Sequence, residues 1–531
     1  MRSVLLVGAL AASVVSVSGS ALAQKSGGVL KMYHRDNPPT LSIHESSTNS
    51  TVIPMMSVFN NLVVYDQNVA QNSPQSIVPD LAKSWSWSAD GKNLTFKLQE
   101  GVKWHDGKPF TAKDVVCTFD LLTGKGGDDN KLRTNPRKTW YSNVDKVTAN
   151  GDNEVTVHLQ HPQPSLPALL ASGYSPMYPC HVTAAQMRTR PIGTGPFKFV
   201  SFKQNEGIKV ERNADYWKKG KPYLDGIEFT IVPNRGTAIL SFVSGRFDIV
   251  FPWEVTIPLL KDIKNQLPSA ACQVTSMNNT TNLLLNRDAP PFDNANLRQA
   301  LVLAMDRKAF IDILNQGDAL QGGTMQPPAD GVWGLPPEIY ETVSGYGPDV
   351  AKNREQARAL MKKAGYGPDK HLQLKVSTRG ISLYKDPAVI LAGQLKEIWI
   401  DAEVEIVETS QWFTRVGRKQ YTIGLNTTGN GVDDPDQNFF ENFSCKSERN
   451  YSGYCNPEIE KLMEKQSQVA DMGERKKLVW EIDKKLLEDY ARPVVMWNRA
   501  AICMQPFVKG YVANVNSVYN GFRFEDIWLD K

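Results

Sequence analysis

His105 and Asp106 stand side by side in Val102-Lys103-Trp104-His105-Asp106-Gly107, the residue types of a general base and its orienting carboxylate. No third group follows at a recognisable spacing, and Asp106-Gly107 reads as a turn. Ser382-Leu383-Tyr384-Lys385 has the Ser-x-x-Lys spacing of a serine nucleophile beside a lysine, as in penicillin-recognising enzymes, but no Lys-Thr-Gly follows it. A secreted hydrolase using Ser382 and Lys385 is therefore the enzymatic alternative. His-Glu-x-x-His, Gly-x-Ser-x-Gly and Walker loops are absent from the sequence. Gly193-Thr194-Gly195 lacks both the third glycine and the following helix of a phosphate loop. The seven histidines form no ligand set, and the six cysteines are widely spaced with no Cys-x-x-Cys, which argues against zinc.

Fixed charge is the other resource. Arg379 follows the strand-like run Leu372–Ser377, and its planar guanidinium suits a carboxylate or phosphate; the alternative is a solvated loop arginine. The segment Thr427 to Phe440, TTGNGVDDPDQNFF, follows another strand-like run and carries Asn430, Asp433 and Asp434. Ligands in α/β folds gather at strand ends, so these residues are ligand candidates. Asp433, Asp434 and Asp436 otherwise serve only to cap the helix through Phe439 and Phe440. Trp412 and Trp497 either wall a cleft or fill the core.

The elements that must carry these residues are legible in part. Trp85 and Trp87 alternate with serines, Asp90-Gly91 supplies a tight turn, and Leu94, Phe96 and Leu98 alternate on the return, giving a hairpin. Val102 to Trp104 reads as a short third strand. Thr111 with Asp114 resembles a capping box ahead of the helical face Val115, Val116, Phe119 and Leu122. From about Asn282 onward helices and strands alternate. Strands are expected at Asn282–Asn286, Leu372–Ser377, Ala402–Val407 and Tyr421–Asn426, and a helix starting at Pro387. That alternation predicts an α/β lobe.

The chain has 531 residues, too many for one core and suited to two or three lobes. Its formal charge of +4, from 60 basic and 56 acidic residues, is too balanced to argue for nucleic acid. Residues 1–23 read as a cleavable export signal: Arg2, an apolar run from Val4 to Val17, then Ala21-Leu22-Ala23. No later segment is apolar enough to span a membrane. Export permits disulfides among Cys117, Cys180, Cys272, Cys445, Cys455 and Cys503, with connectivity left open by spacing.

The segment Leu81–Leu122, LAKSWSWSADGKNLTFKLQEGVKWHDGKPFTAKDVVCTFDLL, resembles the hallmark stretch of the dipeptide- and oligopeptide-type solute-binding proteins of bacterial ABC importers, solute-binding protein family 5. PIGTGPFKFV, ERNADYWKKGKPYLDGIEFTIVPN and FDNANLRQALVLAMDRKAFI extend the likeness. The resemblance implies a two-lobed α/β periplasmic binding protein fold of type II, the large peptide-binding class, with an extra strand-rich subdomain in lobe 1. The implied division is a signal peptide at 1–23, lobe 1 at 24–275 with its strand-rich part near 66–190, lobe 2 at 276–495, and a return to lobe 1 at 496–531. It further implies a non-enzymatic monomer in the periplasm, without a cofactor, that closes on a peptide or peptide-like solute and docks on an inner-membrane ABC permease. A ligand-presenting sensor is the other non-enzymatic reading. Dipeptide-type relatives place an arginine near Arg379 to grip the ligand carboxylate. Their aspartate for the ligand ammonium lies four residues before the proline, where this chain has Gly431, with Asp433 and Asp434 shifted. Relatives bridge a pair like Cys445 and Cys455. Cys117 with Cys180 is a second suggestion, both lying in one lobe, and Cys272 and Cys503 are left unassigned.

Overall fold

The computed structural model describes residues 24–127, 130–328, 330–514 and 519–531, and the expected signal at 1–23 lies outside them. β1 (Val29–His34) opens the first lobe. β2 (Val63–Tyr65) and β3 (Ile77–Pro79) pair as a short antiparallel ladder. β4 (Ala82–Trp87), β5 (Asn93–Leu98), β6 (Val144–Ala149) and β7 (Glu154–Leu159) form an antiparallel sheet in the order β4-β5-β7-β6. Within it Trp85 faces Phe96 and Trp87 faces Leu94. Gly91 takes the φ of +68° that the connecting turn needs and that a side chain resists. The capping box is real: Asp114 Oδ2 accepts from the Thr111 N–H at 2.9 Å at the start of the helix Ala112–Thr123.

Val102–Trp104 is not the third strand expected of it. A single bridge joins Lys103 to Pro109, and proline has no N–H to extend a ladder. His105 instead clasps the Pro191–Phe197 segment, its N–H donating to Gly193 O at 2.9 Å and its ring Nε2 lying 3.0 Å from Gly195 O. A Cβ on Gly193 or Gly195 would approach the Val58 carbonyl oxygen to 1.9 or 2.6 Å, so backbone contact fixes both glycines.

β8 (Phe197–Lys203), β9 (Gly207–Arg212) and β10 (Gly226–Ile231) join β1 in the order β1-β10-β9-β8, with β1 parallel to β10. The next strand, β11 (Ala271–Leu285), is 15 residues long and starts well before the expected Asn282. It shares a sheet with β12 (Leu372–Arg379), β13 (Ile400–Val407), β14 (Ile423–Gly429) and β15 (Val494–Met504), in the order β13-β12-β14-β11-β15. β12 is parallel to both its neighbours, the signature of the alternating helices between them. The helix Ser382–Leu395 starts before the expected Pro387 and carries that proline inside it. Tyr384, Ala388, Leu391 and Leu395 are buried along one face, and their burial offsets the hydrogen bond the proline removes. β16 (Val508–Lys509) and β17 (Trp528–Leu529) pair near the C-terminus.

Two large hydrophobic cores result. One gathers residues between Leu30 and Met277 with those between Ala500 and Leu529; the other lies between Leu283 and Met496. β11 and β15 run from one core to the other. Their ladder is interrupted between Ser276 and Thr280, where Asn278 has a φ of +41°. All six cysteines are bridged, as Cys117–Cys180, Cys272–Cys503 and Cys445–Cys455. The pair left unassigned from sequence joins the two crossing strands directly across their ladder. Among the described residues no helix is long and apolar enough to cross a membrane.

Candidate ligand-binding cleft

β12 and β14 lie next to one another, so their ends deliver Arg379 and the loop after Gly429 to the boundary between the lobes. Arg379 is the last residue of β12 and only 3% exposed. Its Nη2 donates to Asn426 Oδ1 at 3.0 Å, and its guanidinium lies 3.8 Å from the Tyr384 ring centre and 5.5 Å from that of Phe413. Nε and Nη1 are buried with no partner. Burial, with the nearby charge of Arg35, pulls the Arg379 pKa below the ordinary arginine value against the opposing pull of Tyr384 and Asp36.

The facing wall comes from the end of β1. Arg35 donates through Nη2 to Asn49 Oδ1 at 2.7 Å and to Tyr384 Oη at 2.9 Å, and its Nη1 lies 3.4 Å from Glu254 Oε1. Phe251 and Trp253 carry its other faces at 5.3 and 5.6 Å. Burial opposes its charge, but Tyr384, Asp36 and Glu254 together outweigh that and hold its pKa above normal. The lobes are thus closed on one another. Further bonds cross between them from Trp140 Nε1 to Glu441 Oε2 at 3.1 Å and from the Asn135 N–H to Glu448 Oε2 at 2.6 Å. Two interlobe cavities flank this contact. One of about 620 Å³ is lined by Pro39, Glu45, Ser46, Pro136, Phe413, Glu448 and Tyr451 among others. The other, about 280 Å³, lies beside Trp253, Asn279, Ser382 and Pro387.

The remaining sequence candidates separate. Asn430 binds the irregularity in β11, donating through its backbone to Asn278 O at 2.9 Å and through Nδ2 to Asn278 Oδ1 at 3.2 Å, and its own Oδ1 has no partner. Asp433 accepts from the Val332 N–H at 3.3 Å and keeps Oδ1 unpartnered; burial raises its pKa to about 7. Both oxygens of Asp434 are engaged within the protein. It caps the helix Pro435–Asn442 and takes both terminal nitrogens of Arg475 at 2.9 and 2.7 Å. Trp412 is fully buried under the helix Thr409–Gly417, against Leu284, Val407 and Val416, so its half-buried neighbour Phe413 is the aromatic at the cavity. Trp497 donates to Gly323 O at 3.0 Å beneath the loop at 321–337 and is core rather than wall. A side chain at Gly431 would meet Ser172 Oγ at 2.8 Å and Tyr174 Cδ2 at 3.2 Å, which leaves no room there for a carboxylate. Ser382 and Lys385 share no hydrogen bond among the described residues, and Lys385 points to solvent, so the hydrolase alternative loses its foothold. Sequence reasoning missed Arg35, Tyr384 and Trp253. The only hint of Arg35 was a charge directly after an apolar strand.

Two lobes with separate cores, two crossing strands and a charged, aromatic cleft between them define a type II solute-binding protein of the large peptide-binding class. The family model of bacterial extracellular solute-binding proteins, family 5 Middle, matches residues 76–450, and the chain belongs to that family. As such it is the substrate-binding component of an ABC importer, and the secreted-hydrolase alternative is not favoured. The chain is 26% identical over 500 residues to a probable di/tripeptide-binding protein 5 of Pseudomonas aeruginosa, covering 88% of this chain and 89% of that one. Its fold matches the Helicobacter pylori periplasmic binding protein DppA in complex with the peptide STSA, with TM-score 0.82, 22% identity and 96% and 99% of the two chains covered. It also matches AgaA of A. tumefaciens R10 in complex with agropinic acid, with TM-score 0.79, 23% identity and 95% and 99% covered.

Proposed function

We propose that this chain captures an acidic solute of about peptide size in its cleft, with Arg379 gripping a carboxylate, and delivers it to an inner-membrane permease. The observation that carries this reading is the state of Arg379: 3% exposed, with two nitrogens unpartnered and an amide as its single hydrogen-bond acceptor. A buried charge left in that state is unfavourable by several kcal/mol, and a bound carboxylate removes the deficit through charge-assisted bonds. Asn430 Oδ1 and Asp433 Oδ1 are the free acceptors for a donor elsewhere on the ligand, whereas Asp434 is withdrawn from the site. The ligands named for relatives, di- and tripeptides and agropinic acid, span this chemistry. On this reading the chain catalyses nothing and acts as a monomer in the periplasm, where three disulfides are at home.

The test begins with native mass spectrometry of exported protein purified without denaturation, which identifies the solute the cleft retains. Calorimetry with that solute on wild type and Arg379→Ala should then show affinity weakened roughly ten- to a hundredfold, the equivalent of about 1.5–3 kcal/mol for a charged hydrogen bond. Equal affinities would remove Arg379 from the site.

A further inference from the structure

Three buried arginines near the lobe boundary lie close enough for their charges to interact, around the shared carboxylate of Glu441. Arg137, from lobe 1, is 2% exposed and lies flat on Tyr174, 3.3 Å from the ring centre. It donates only through Nη1, to Ser46 O at 2.7 Å, and its Nε and Nη2 have no partner. Arg449, from the loop between Cys445 and Cys455 in lobe 2, pairs with Glu441 and leaves Nε free. Arg492, also buried, donates to Asn282 Oδ1 at 2.9 Å and to Asn442 Oδ1 at 2.7 Å and leaves Nη2 free. Glu441 is shared further, accepting from Trp140 Nε1 at 3.1 Å and Gln437 Nε2 at 3.3 Å. Ser46 and Pro136 beside Arg137, and Glu448 and Tyr451 beside Arg449, line the 620 Å³ cavity. Burial and then the charge of Arg449 draw Arg137 down to about 10 and Arg492 to about 9. A guanidinium keeps its proton, so these shifts register charge held away from water, with a smaller part from neighbouring positive charge that Glu441 only partly offsets.

We propose that Arg137 and Arg449, one from each lobe and with Arg492 behind them, form a second anion site, so that the ligand carries two acidic groups, one here and one at Arg379. The inference rests on the cleft being the solute site and goes further by naming the ligand class: a compact molecule with two carboxylates, or a carboxylate and a phosphate. It also accounts for selective closure. Closing the lobes brings Arg137 toward Arg449, and their repulsion opposes the closed state until an anion lies between them. A free ammonium in that position would add to the repulsion, so a peptide with an unblocked N-terminus is a poor ligand.

Four probes separate the cases: trialanine, N-acetyl-trialanine, N-succinyl-trialanine and N-acetyl-phosphoseryl-dialanine, each tested by thermal shift and calorimetry on protein freed of retained ligand. Wild type should bind one or both acidic probes roughly tenfold or more tighter than the acetyl probe, as expected for a charge-assisted bond, and trialanine weakest. The two acidic probes tell carboxylate from phosphate. Arg137→Gln should abolish the preference for the acidic probes and, by relieving the repulsion that opposes closure, tighten acetyl-probe binding modestly. Glu441→Gln, which keeps the hydrogen-bonded shape and removes the one neutralising charge, should strengthen acidic binding; a purely structural role for the cluster predicts weakening. Preference for trialanine, no response to either acidic probe, or the same acidic preference in Arg137→Gln overturns the second site. Loss of every preference in Arg379→Ala, with Arg137→Gln unchanged, would leave the single-anchor reading standing alone.

Discussion

Arg35 of lobe 1 and Tyr384 of lobe 2 meet through a hydrogen bond of 2.9 Å, while Arg379, of the same lobe as Tyr384, lies over that phenol ring at 3.8 Å. One aromatic side chain therefore joins the two lobes and orients the anchor. Tyr384→Phe removes the acceptor and keeps the ring. Because the bond exists only when the lobes are shut, its loss should favour the open form and weaken binding of the retained solute roughly tenfold, as for one hydrogen bond to a charged group. Calorimetry gives the affinity, and small-angle scattering gives the open fraction at saturation. A variant that closes and binds as wild type would show that the phenol hydroxyl is only a spectator.

Arg379 makes the second prediction, and it runs against the usual cost of a core substitution. Its unpartnered nitrogens sit among Tyr384, Phe413 and Asn426 and make no bond to a carboxylate among the described residues. Arg379→Met keeps the stem and removes the charge, so the ligand-free protein should melt several degrees higher while ligand no longer raises its melting temperature. Arg379→Lys should not rescue binding, since an ammonium neither stacks nor forks. A lower ligand-free melting temperature in the methionine variant would mean that the charge already has its partner.

That outcome was half legible in the sequence. The residue type and the strand before Arg379 identified a possible anchor, but a loop arginine and a buried strand-end arginine look alike until Tyr384 and Asn426 are brought to it. Trp412 was left open between wall and core for a different reason. Its spacing with Thr409 and Val416 puts it on the buried face of a short helix, and the neighbouring Phe413 faces out. Side-chain size suggested a cleft wall where helical period indicated core. Asp434 looked free because its partner Arg475 is 41 residues away on another helix. Arg137 gave no signal at all: it precedes a short 3₁₀ turn, and Tyr174 and Arg449, which define its role, come from separate loops. The hairpin Trp85–Phe96, the capping box and the α/β alternation were readable because each depends on residues adjacent in sequence.

Asp433 sets a pH dependence. Burial pushes its carboxyl up to about 7, against the pull of the Val332 N–H. In the unfolded chain the same group ionises near pH 4. Between about pH 4 and 7 the unfolded state therefore releases a proton that the folded state retains, and stability falls as pH rises through that window, then levels off. Asp433→Asn removes this contribution, so its melting temperature relative to wild type should climb from pH 5 to pH 7.5. Two profiles that stay parallel would show that Asp433 ionises normally in the folded protein.

The Cys445–Cys455 bridge closes the loop that carries Glu448 and Arg449, both of which reach the interlobe boundary. A bridge around a loop this short stabilises by about 2–3 kcal/mol, chiefly by restricting the unfolded chain. Stability alone would rank it below Cys117–Cys180, which closes a longer loop within lobe 1 away from the crossing strands. Position makes the two different. Replacing Cys445 and Cys455 by serine should lower the melting temperature and also weaken ligand binding severalfold, because Arg449 and the Asn135–Glu448 bond lose their fixed frame. Replacing Cys117 and Cys180 should lower the melting temperature with affinity retained. Calorimetry with the retained solute, at a temperature where both variants are folded, separates the outcomes. Equal affinity in the two double variants would reduce the 445–455 loop to a structural clip with no part in holding the ligand.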